Sequence, residues 1–506
     1  MVSEHDYVIV GAGTAGCVLA ARLSEDASAR VLLLEAGPDR PHHPGLLTPA
    51  AWPRLTGTSV DWATATVPQV NAGRVPYPRG RVLGGSGAIN AMAHIRGHPA
   101  VYDQWAAEGA TGWGSADLLP SFMRSETAPG RDPQLRGNSG PVRVSPVPDG
   151  DRHPVAVAFA AALEAVGIPV ASDLSGTQPE GMGWADLAID GGLRVSPATA
   201  YLQPAMSRPN LTVRAGCRVT GLDIQAGRCR GVRYMRAGRA MTVHAAGEVI
   251  VCAGAVGTPQ LLLLSGIGPA SELRRIGIDV VLDLPGVGAN LQDHPVAMLS
   301  YQTQVSLSAS NGNHGEVYAA VRSPLAAGWP DLHLFPVLLP VVPRRRRRPP
   351  YGFAVLAAAT RTDSRGTVRL ASADPLAAPL IDPGLLSSER DASRLLAAIA
   401  IARQAGAHLG AQWPWPVELY PGVAVQGAGE LRRYIRRTVG SYYHPAGTCR
   451  MGTGAGTVTD PGLRVHGIGG LRAADASVMP VIPNAPLNAT VLAIAERAAA
   501  LIRSRR

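Results

Sequence analysis

The sequence predicts an α/β fold that begins with a parallel pair of strands, and two observations near the N-terminus carry this prediction. Residues 7–10 and 31–34 are short apolar runs, typical of strands that are buried on both faces. Residues 14–23 lie between them and continue the apolar pattern over a length that suits a helix. Strand, helix and strand in this order form a βαβ unit, whose strands lie parallel.

Three glycines join the first strand to the helix. Gly11, Gly13 and Gly16 have the spacing G-x-G-x-x-G, in which the first glycine permits a tight turn and the second lets the backbone approach a pyrophosphate. The third lets the helix pack closely on the strand, and the N–H groups at the helix start point toward the phosphates. Glu35 ends the second strand, where an acid binds a ribose hydroxyl. A glycine-rich turn explains the glycines alone, but their context favours a dinucleotide site.

Length and composition limit the classes of protein. A chain of 506 residues exceeds what one core usually supports, so we expect two domains, and 46% apolar with 17% charged residues is typical of a globular protein. The net charge of +10 suggests a nucleic-acid partner, but every basic residue is an arginine, which indicates a composition bias. The run at 344–348 lies between prolines and is typical of a solvated loop, with an anion contact as the minority alternative. We predict no nucleic-acid partner.

The cysteines and the N-terminus indicate the compartment. No C-x-x-C pair and no metal-ligand spacing occurs, so we predict no metal site and expect buried thiols in a reducing compartment. The first strand starts so early that no signal peptide fits before it, and no apolar run reaches membrane-spanning length. We therefore expect a soluble, cytoplasmic protein.

Longer motifs follow along the chain. Small residues dominate 80–90 (GRVLGGSGAIN), which indicates backbone pressed against a flat ligand or a phosphate. A second signature occupies 254–268 and continues at 284–294, and two further runs occupy 443–452 and 470–480. In this order, these motifs resemble the glucose-methanol-choline (GMC) family of FAD-dependent alcohol oxidoreductases over nearly the whole chain.

The resemblance implies a Rossmann-type FAD-binding domain and a discontinuous substrate domain built on an antiparallel sheet backed by helices. The FAD-binding domain is expected to comprise residues 1–145, 190–298 and 440–506, and the substrate domain residues 146–189 and 299–439. The sequence supports the substrate domain independently, because 352–359 and 366–370 are typical of strands and 390–407 has leucines and isoleucines at helical spacing.

The resemblance also implies a cofactor, FAD, and its contacts. Some relatives attach the flavin covalently through a histidine where this chain has Ile89, so we expect noncovalent FAD. The resemblance puts Asn90 near the isoalloxazine, the Val219 backbone near the adenine, and Asp475 and Ala476 near the pyrophosphate and ribityl chain. The full set of cofactor-binding residues that it implies is Gly11, Gly13, Thr14, Ala15, Gly16, Glu35, Ala36, Arg81, Val82, Gly85, Ser86, Asn90, Ala91, Val219, Ala253, Asp475, Ala476, Asn488 and Ala489.

Alcohol oxidation needs a base near the hydroxyl oxygen, because a carbinol does not give up hydride until its hydroxyl proton is leaving. His444 suits this role, since an imidazole titrates near neutral pH and the family resemblance puts the catalytic base in this motif. Relatives carry a second histidine or an asparagine at a position that falls here on Pro486 in a gapless alignment. Proline offers no polar side chain, so we expect His444 to work alone; Asn484 or Asn488 substitutes for the missing partner if the turn is shifted.

Asn488 has a second predicted role. It precedes an alanine-rich helix at 489–502, and asparagine is a favoured N-cap. If this helix points at the flavin pyrimidine ring, as the resemblance implies, its dipole stabilises the negative charge of reduced flavin. The alternative is a terminal helix that only packs.

We therefore predict FAD-dependent oxidation of a primary or secondary alcohol to an aldehyde or ketone, with oxygen or a quinone or other carrier as the electron acceptor. The alternatives on the same scaffold are a hydroxynitrile-lyase-like activity and a flavin partner that relays electrons. The closest overall similarity is to choline-dehydrogenase-like and hydroxymethylfurfural-oxidase-like bacterial members. The substrate pocket is expected within 300–339, where scarce aromatics disfavour choline, although Glu316 and Tyr318 leave it open. A homodimer is compatible with the sequence.

Overall fold

Two seven-stranded sheets organise the chain in the computed structural model, which describes residues 5–40, 42–177, 179–310, 312–344, 346–409 and 416–504. Residues 1–4, which bear on the expectation of no signal peptide, lie outside the described residues, and so does Arg345 of the arginine run. The neighbouring Arg344 and Arg346 are exposed, as expected of a loop. All five cysteines are buried and unpaired, as predicted.

The first sheet combines a parallel and an antiparallel half. Strand Arg239–Val251 belongs to both: its last residues pair in parallel with His5–Val10, and its first residues pair antiparallel with Arg228–Arg236. The parallel half contains the predicted βαβ unit, with Val31–Leu34 beside His5–Val10 in register from Tyr7 to Val10. In spatial order the strands are Leu211–Arg214, Val31–Leu34, His5–Val10, Arg239–Val251, Arg228–Arg236 and Cys217–Gln225, with Leu471–Ala473 added beside Arg239–Val251.

The second sheet is antiparallel throughout, and the predicted strand at 352–359 lies near its centre. In spatial order its strands are Val417–Tyr420, Pro295–Gln302, Gly352–Ala359, Leu332–Val337, Val317–Val321 and Gly181–Trp184, with Gly440–Ser441 added beside Pro295–Gln302. Two-stranded ladders complete the strands: Thr64–Ala65 with Pro76–Tyr77, Glu126–Thr127 with Val142–Arg143, Ile189–Asp190 with Leu193–Arg194, Ile267–Gly268 with Leu282–Asp283, and Thr367–Arg369 with Leu380–Asp382.

The predicted fold class is confirmed. One face of the second sheet packs on helices Pro154–Ala165 and Glu389–Leu409, because alternate residues such as Leu299 and Val355 are apolar and point that way. The helix predicted at 390–407 is Glu389–Leu409, one and two residues longer at its ends. The division into two domains stays a prediction, and its expected boundary at 298 falls inside strand Pro295–Gln302.

The α-helices of the described residues differ widely in length. They are Thr14–Leu23, Pro44–Leu47, Pro99–Ala107, Ser115–Ser125, Pro154–Ala165, Gln203–Ala205, Gly254–Leu264, Ala270–Arg275, Glu389–Leu409, Ala428–Thr438 and Leu487–Arg503. No helix among the described residues combines the length and the apolar character that crossing a bilayer requires.

The first and last long helices, Thr14–Leu23 and Leu487–Arg503, pack against each other through a buried carboxylate. Glu496 is fully buried and accepts hydrogen bonds from the Arg22 guanidinium at 2.8–3.0 Å and from the Tyr201 hydroxyl at 2.8 Å. The paired charges and the added hydroxyl satisfy the carboxylate, which makes its burial tolerable. This contact fixes the two helices whose first residues lie at the candidate site.

Glu496→Ala is expected to lower the free energy of unfolding by about 3 kcal/mol, because a guanidinium and a buried hydroxyl lose their acceptor. Urea denaturation followed by circular dichroism measures the change. The control is Glu180→Ala, whose partner Arg322 is 53% exposed at the side chain, and a loss below about 1 kcal/mol is expected there. Equal losses in the two variants would contradict the structural role of Glu496.

Candidate active site

The glycine turn after the first strand forms a cradle. Gly11 has φ +96°, and a Cβ there would lie 2.6 Å from the Cys252 carbonyl oxygen; a Cβ at Gly16 would lie 1.9 Å from the Gly11 carbonyl oxygen. The chain's own packing therefore requires both glycines. Gly13 differs, because the nearest atom to a Cβ there is 4.0 Å away. The space beside Gly13 fits the close approach of a pyrophosphate that this position permits.

The first signature forms the second wall of the cradle. Gly85 has φ +53°, and a Cβ there would lie 2.6 Å from the Gly13 Cα, so the two glycine segments touch through their backbones. Helix Thr14–Leu23 has no side-chain cap at Gly13, which leaves its first N–H groups for an anion. Exposed Ser86 lies on the same signature and accepts a hydrogen bond from the Gly80 N–H at 3.1 Å. These features fit a dinucleotide pyrophosphate.

Glu35 holds the glycine turn in place. Its carboxylate accepts from the Ala12 N–H at 2.9 Å and from the Gly37 N–H at 2.8 Å. Burial raises the pKa of Glu35 to about 7. The sequence predicts a ribose contact for this residue, and the structure adds a second role, because the carboxylate ties the glycine loop to the segment that contains Ala36.

Asp475 and its neighbour Ala476 join three segments that lie far apart in sequence. Its carboxylate accepts from the Gly254 N–H at 2.8 Å and the Thr258 hydroxyl at 2.6 Å, and so caps helix Gly254–Leu264, which follows Ala253. Its other oxygen accepts from the Ser477 N–H at 2.8 Å. The Ala476 carbonyl accepts from the Gly447 N–H at 3.1 Å, which brings in the motif of His444. The predicted residues Ala253, Asp475 and Ala476 therefore meet.

Asn90 is fixed by an arginine that sequence reasoning missed. Arg194 donates to the Asn90 carbonyl at 2.6 Å and to its side-chain oxygen at 3.0 Å, and to the Leu46 carbonyl at 2.8 Å. Burial without a carboxylate partner lowers the pKa of Arg194 to about 9, and its Nη2 has no hydrogen-bond partner among the described residues. Its place on the short strand Leu193–Arg194 gave no signal of this contact.

The remaining predicted cofactor residues lie on several walls. Val82 is buried, and its carbonyl accepts from the Gly85 N–H at 2.8 Å. The Arg81 guanidinium lies 5.2 Å from the centre of the Trp62 ring, and its Nε is buried without a partner in the described chain. The Ala91 carbonyl accepts from the Asn313 side chain. Ala15 is buried at the start of helix Thr14–Leu23, and Val219 is half-buried on strand Cys217–Gln225.

The prediction that Asn488 caps the last helix is wrong. The helix begins at Leu487, its N-cap residue is Pro486 in an extended conformation, and Asn488 is already inside the first turn. Proline fixes φ before the helix starts, so the boundary moves back by two residues. The Asn488 side-chain oxygen instead accepts from the Thr14 hydroxyl at 2.8 Å, which joins the first turns of two helices. Ala489 is fully buried beside it.

His444 lies on a bulge at the edge of the second sheet. Pro295 pairs with Ser441, and the Tyr442 N–H donates to the His294 carbonyl. The pairing is then interrupted and resumes between Gln292 and Ala446. Residues 443–445 therefore face the single residue Asp293. Bulges of this kind redirect side chains next to active sites.

Asp293 holds this bulge in place. Its carboxylate accepts from the His294 N–H at 2.8 Å, from the His444 N–H at 3.0 Å, and from the Ser441 hydroxyl. Tyr443, which precedes His444, has φ +65°, a conformation that side chains rarely adopt without such support. Burial raises the pKa of Asp293 to about 6.

His444 has a polar neighbour that the expectation of a lone histidine did not include. Its Nδ1 lies 3.0 Å from Nδ1 of His294, and the two rings meet edge to face with centres 5.2 Å apart. His294 was visible in the motif at 284–294, but its pairing with His444 depends on contacts between strands 150 residues apart. Pro486 offers no polar side chain in the C-terminal segment, and His294, which precedes strand Pro295–Gln302, lies beside His444 instead.

Burial keeps the histidines of this site uncharged. Burial lowers the pKa of His444 to about 3 and that of His333 to about 4, and it also lowers the pKa of His294. Each imidazole is therefore neutral at pH 7 and keeps one nitrogen lone pair.

Asn484 makes contacts that hold the chain. Its side-chain oxygen accepts from the His98 N–H at 2.7 Å, and its amide nitrogen donates to the Pro330 carbonyl at 2.8 Å. The residue is buried, and no hydrogen bond joins it to His444 among the described residues. This geometry favours His294 over Asn484 as the partner of His444.

The fold and the motifs match a known family. Residues 5–296 and 362–495 match GMC oxidoreductase. The chain is 38% identical to "Choline dehydrogenase, mitochondrial" of Homo sapiens over 540 residues, covering 99% of this chain and 90% of that protein. The crystal structure of pyridoxine 4-oxidase from Mesorbium loti matches with a TM-score of 0.95 at 35% identity, covering 99% of this chain and 100% of that one. A fungal aryl-alcohol oxidase matches with a TM-score of 0.86 at 26% identity, covering 100% of each chain. The chain therefore belongs to the GMC oxidoreductase family, whose members are FAD-dependent oxidoreductases acting on CH–OH donors.

Proposed function

We propose that this protein binds FAD noncovalently and oxidises a primary or secondary alcohol to an aldehyde or ketone, with His444 as the general base. The observation that supports His444 as the base is the 3.0 Å contact between the Nδ1 atoms of His444 and His294, within a cluster of uncharged imidazoles. Each neutral imidazole carries one proton. In a contact between two Nδ1 atoms, one ring donates its proton and the other accepts it, so the position of this proton determines which ring has a lone pair on Nε2.

The surroundings of His294 favour one arrangement of protons. The backbone of Pro483 and of Thr360 interacts with its ring and opposes the lowering of its pKa by burial. We propose that His294 carries its proton on Nε2, so that Nδ1 of His294 is the acceptor. His444 then carries its proton on Nδ1 and donates it to His294. This leaves the Nε2 lone pair of His444 free to act as a base.

The chemistry of the step follows from this arrangement. An alcohol hydroxyl bound at Nε2 of His444 transfers its proton to that nitrogen while the carbinol C–H bond breaks and the carbonyl forms. FAD, when bound, supplies the acceptor for the hydride and its two electrons. Asp293 keeps His444 in place by accepting its backbone N–H at 3.0 Å. Oxygen or a quinone-type carrier then takes the electrons in a second half-reaction.

The cofactor assignment rests on the cradle around Gly13. The uncapped helix start, the open space beside Gly13 and the carboxylate of Glu35 together suit a dinucleotide. Thr14 and Asn488 bring the starts of two helices to this cradle. Ile89, at the expected attachment position, is a buried apolar residue without a nucleophile. These residues support the proposal of noncovalent FAD.

Gly13→Val is expected to abolish FAD binding, because the side chain would occupy the space of the pyrophosphate, while the fold persists. Acid precipitation measures flavin binding: the wild-type protein releases its flavin into the supernatant, and the variant releases none. An unchanged far-ultraviolet circular dichroism spectrum of the variant shows that its fold persists. Gly150→Val is the control, since a Cβ there meets no atom within 4 Å. Flavin at full occupancy in Gly13→Val would mean that the cradle lies elsewhere, and colour in the wild-type pellet would mean covalent attachment.

His444→Ala is expected to lower the limiting rate of flavin reduction by about a hundredfold to ten-thousandfold, the range for loss of a general base, with FAD retained. His294→Ala is expected to lower the rate less, because it removes only the group that orients the base. Anaerobic stopped-flow reduction by an alcohol measures both rates.

Asn484→Ala is the matched control for these two variants. This change removes a buried side chain from the C-terminal segment that contains Pro486. The hydrogen bonds of Asn484 go to the backbone of His98 and of Pro330. A rate near that of the wild type is expected. A near-wild-type rate in His444→Ala would overturn the proposed base. If no alcohol reduces the flavin of the wild-type protein and the protein cleaves a cyanohydrin, the lyase alternative is favoured.

The limiting rate of flavin reduction is expected to stay constant between about pH 7 and pH 9. Burial lowers the pKa of His444 to about 3, and the unprotonated imidazole is the active form. Acid therefore removes activity and a rising pH restores it, with the loss confined to pH values well below neutrality. Stopped-flow reduction from about pH 5 to pH 9, a range that includes the ordinary histidine value, tests the expectation. A midpoint near the ordinary histidine value of about 6.5 would contradict an imidazole kept neutral by burial.

A further inference from the structure

Arg194 is an exception among the buried arginines. Five arginines of the described residues are buried, and four of them form ion pairs with carboxylates: Arg96, Arg136, Arg394 and Arg472. Arg194 is 2% exposed and has no carboxylate within ion-pair distance in the described chain. Burial lowers its pKa to about 9, so it still carries its charge at pH 7. A buried charge without a counter-charge is costly, and such groups are concentrated at functional sites.

The guanidinium of Arg194 holds a tight turn. It donates to the Asn90 carbonyl at 2.6 Å and to the Asn90 side-chain oxygen at 3.0 Å, and it donates to the Leu46 carbonyl at 2.8 Å. The same side-chain oxygen accepts from the Met92 N–H at 3.0 Å. Met92 has φ +59°, a conformation that side chains rarely adopt without such support. Arg194 therefore fixes the backbone of residues 90–92.

The peptide between Asn90 and Ala91 is oriented by this contact. Its carbonyl points to the guanidinium, and a trans peptide directs its C=O and N–H groups to opposite sides, so the Ala91 N–H points away from Arg194. No residue of the described chain accepts a hydrogen bond from this N–H, and Ala91 is half-buried. Backbone donors in such places are rarely left without a partner, so this N–H is available to a ligand.

The segment of Arg194 packs against the cradle. A Cβ at Gly87 would lie 2.6 Å from Cδ of Pro197, which follows Arg194 by three residues. Gly87 belongs to the same turn as Gly85, whose backbone touches that of Gly13. The cation therefore lies behind the wall that faces the space for a pyrophosphate.

The turn at 90–92 is also tied to the second sheet. The Asn313 side chain donates to the Ala91 carbonyl, and Asn313 precedes strand Val317–Val321 of that sheet. The bulge that contains His444 lies at the edge of the same sheet. A cofactor that extends from the cradle to His444 therefore passes this turn.

We propose that Arg194 is a positioning residue whose buried charge raises the reduction potential of bound FAD. Reduced flavin carries a negative charge, and a cation in a site of low dielectric stabilises that form relative to the oxidised form. The hydrogen bond to the Asn90 carbonyl also directs the Ala91 N–H toward the cofactor, where it is a further donor to the ring. This proposal rests on the proposed function, since it requires FAD between the cradle and His444.

Arg194→Met tests the charge, because methionine fills similar space without it. The equilibrium constant for flavin reduction is expected to fall by about tenfold, which corresponds to a midpoint potential lower by about 30 mV for a two-electron couple. Anaerobic reduction of the holoenzyme together with a reference dye of known potential measures the shift. A merely structural role of Arg194 would lower the unfolding temperature and leave the potential of the retained flavin unchanged, which would overturn the proposal.

Two further variants separate the charge of Arg194 from its shape. Arg194→Lys keeps a positive charge and is expected to lose less than half of the potential that Arg194→Met loses. Arg194→Gln has no charge but keeps a donor for the Asn90 carbonyl, and its potential is expected to fall as in Arg194→Met. A lysine variant that falls as far as the methionine variant, or a glutamine variant at the wild-type potential, would overturn the proposal. Loss of FAD from both neutral variants would also overturn it, because Arg194 would then serve binding alone.

Sulfite titration repeats the comparison without a reductant. Sulfite adds to oxidised flavin and leaves a negative charge on the ring, so the charge of Arg194 stabilises the adduct as well. Its dissociation constant is expected to rise by about tenfold in Arg194→Met, in proportion to the fall in potential. An unchanged sulfite constant would contradict a stabilising charge at the ring.

Arg208→Met is the matched control. Arg208 also donates to a backbone carbonyl, that of Ala21, and it donates to the Ser24 hydroxyl at 2.8 Å. Both partners lie at the end of helix Thr14–Leu23 that is remote from the cradle. This variant loses the same cation from the same sheet's helices, and its potential is expected to match the wild type. A fall equal to that of Arg194→Met would overturn the proposal.

The proposed function fails separately. Wild-type protein that binds no FAD, or whose FAD no alcohol reduces, contradicts the proposed function. The potential and the sulfite constant are measured without an alcohol, so a missing shift in the Arg194 variants is a distinct outcome.

Discussion

The three-residue bulge at 443–445, held by one buried carboxylate, is the constraint on which the site depends. Asp293 accepts the backbone N–H groups of both histidines, so it positions the His294 and His444 rings together. Without that acceptor, the backbone N–H groups of His294 and His444 would lose their partner, which is costly for buried polar groups. The strained backbone of Tyr443 would also lose its support. One buried carboxylate therefore determines where the His444 ring lies.

Burial then gives the two histidines their chemistry. An imidazole in water is partly protonated near neutral pH, and a protonated imidazole cannot accept a proton. Burial lowers the pKa of His444 to about 3, and its Nδ1 lies 3.0 Å from Nδ1 of His294, so the positions of the protons on the two rings are linked. Burial thus accounts for an imidazole that stays neutral at pH 7.

The sequence predicted the local features well and the distant ones poorly. The βαβ unit, the glycine turn and the long helix Glu389–Leu409 follow from patterns within about twenty residues, and they were predicted nearly to the residue. The partner of His444 lies 150 residues away, and only the pairing of Pro295 with Ser441 brings it close. Asn488 was assigned as a cap by residue type, but Pro486 sets the helix start earlier. Arg194 gave no pattern at all.

The aromatic face of the second sheet depends on register in the same way. Phe335 faces the site because its strand pairs Leu334 with Ala357 and Phe335 with Leu356. A slip of one residue would turn Leu334 to the site and bury Phe335 and His333 against the helices, because side chains alternate with a period of two. Apolar residues on the helix-facing side, such as Leu334 and Val355, resist that slip because both are buried in the core there. Packing on the helix-facing side of the sheet therefore determines which rings lie on the opposite face.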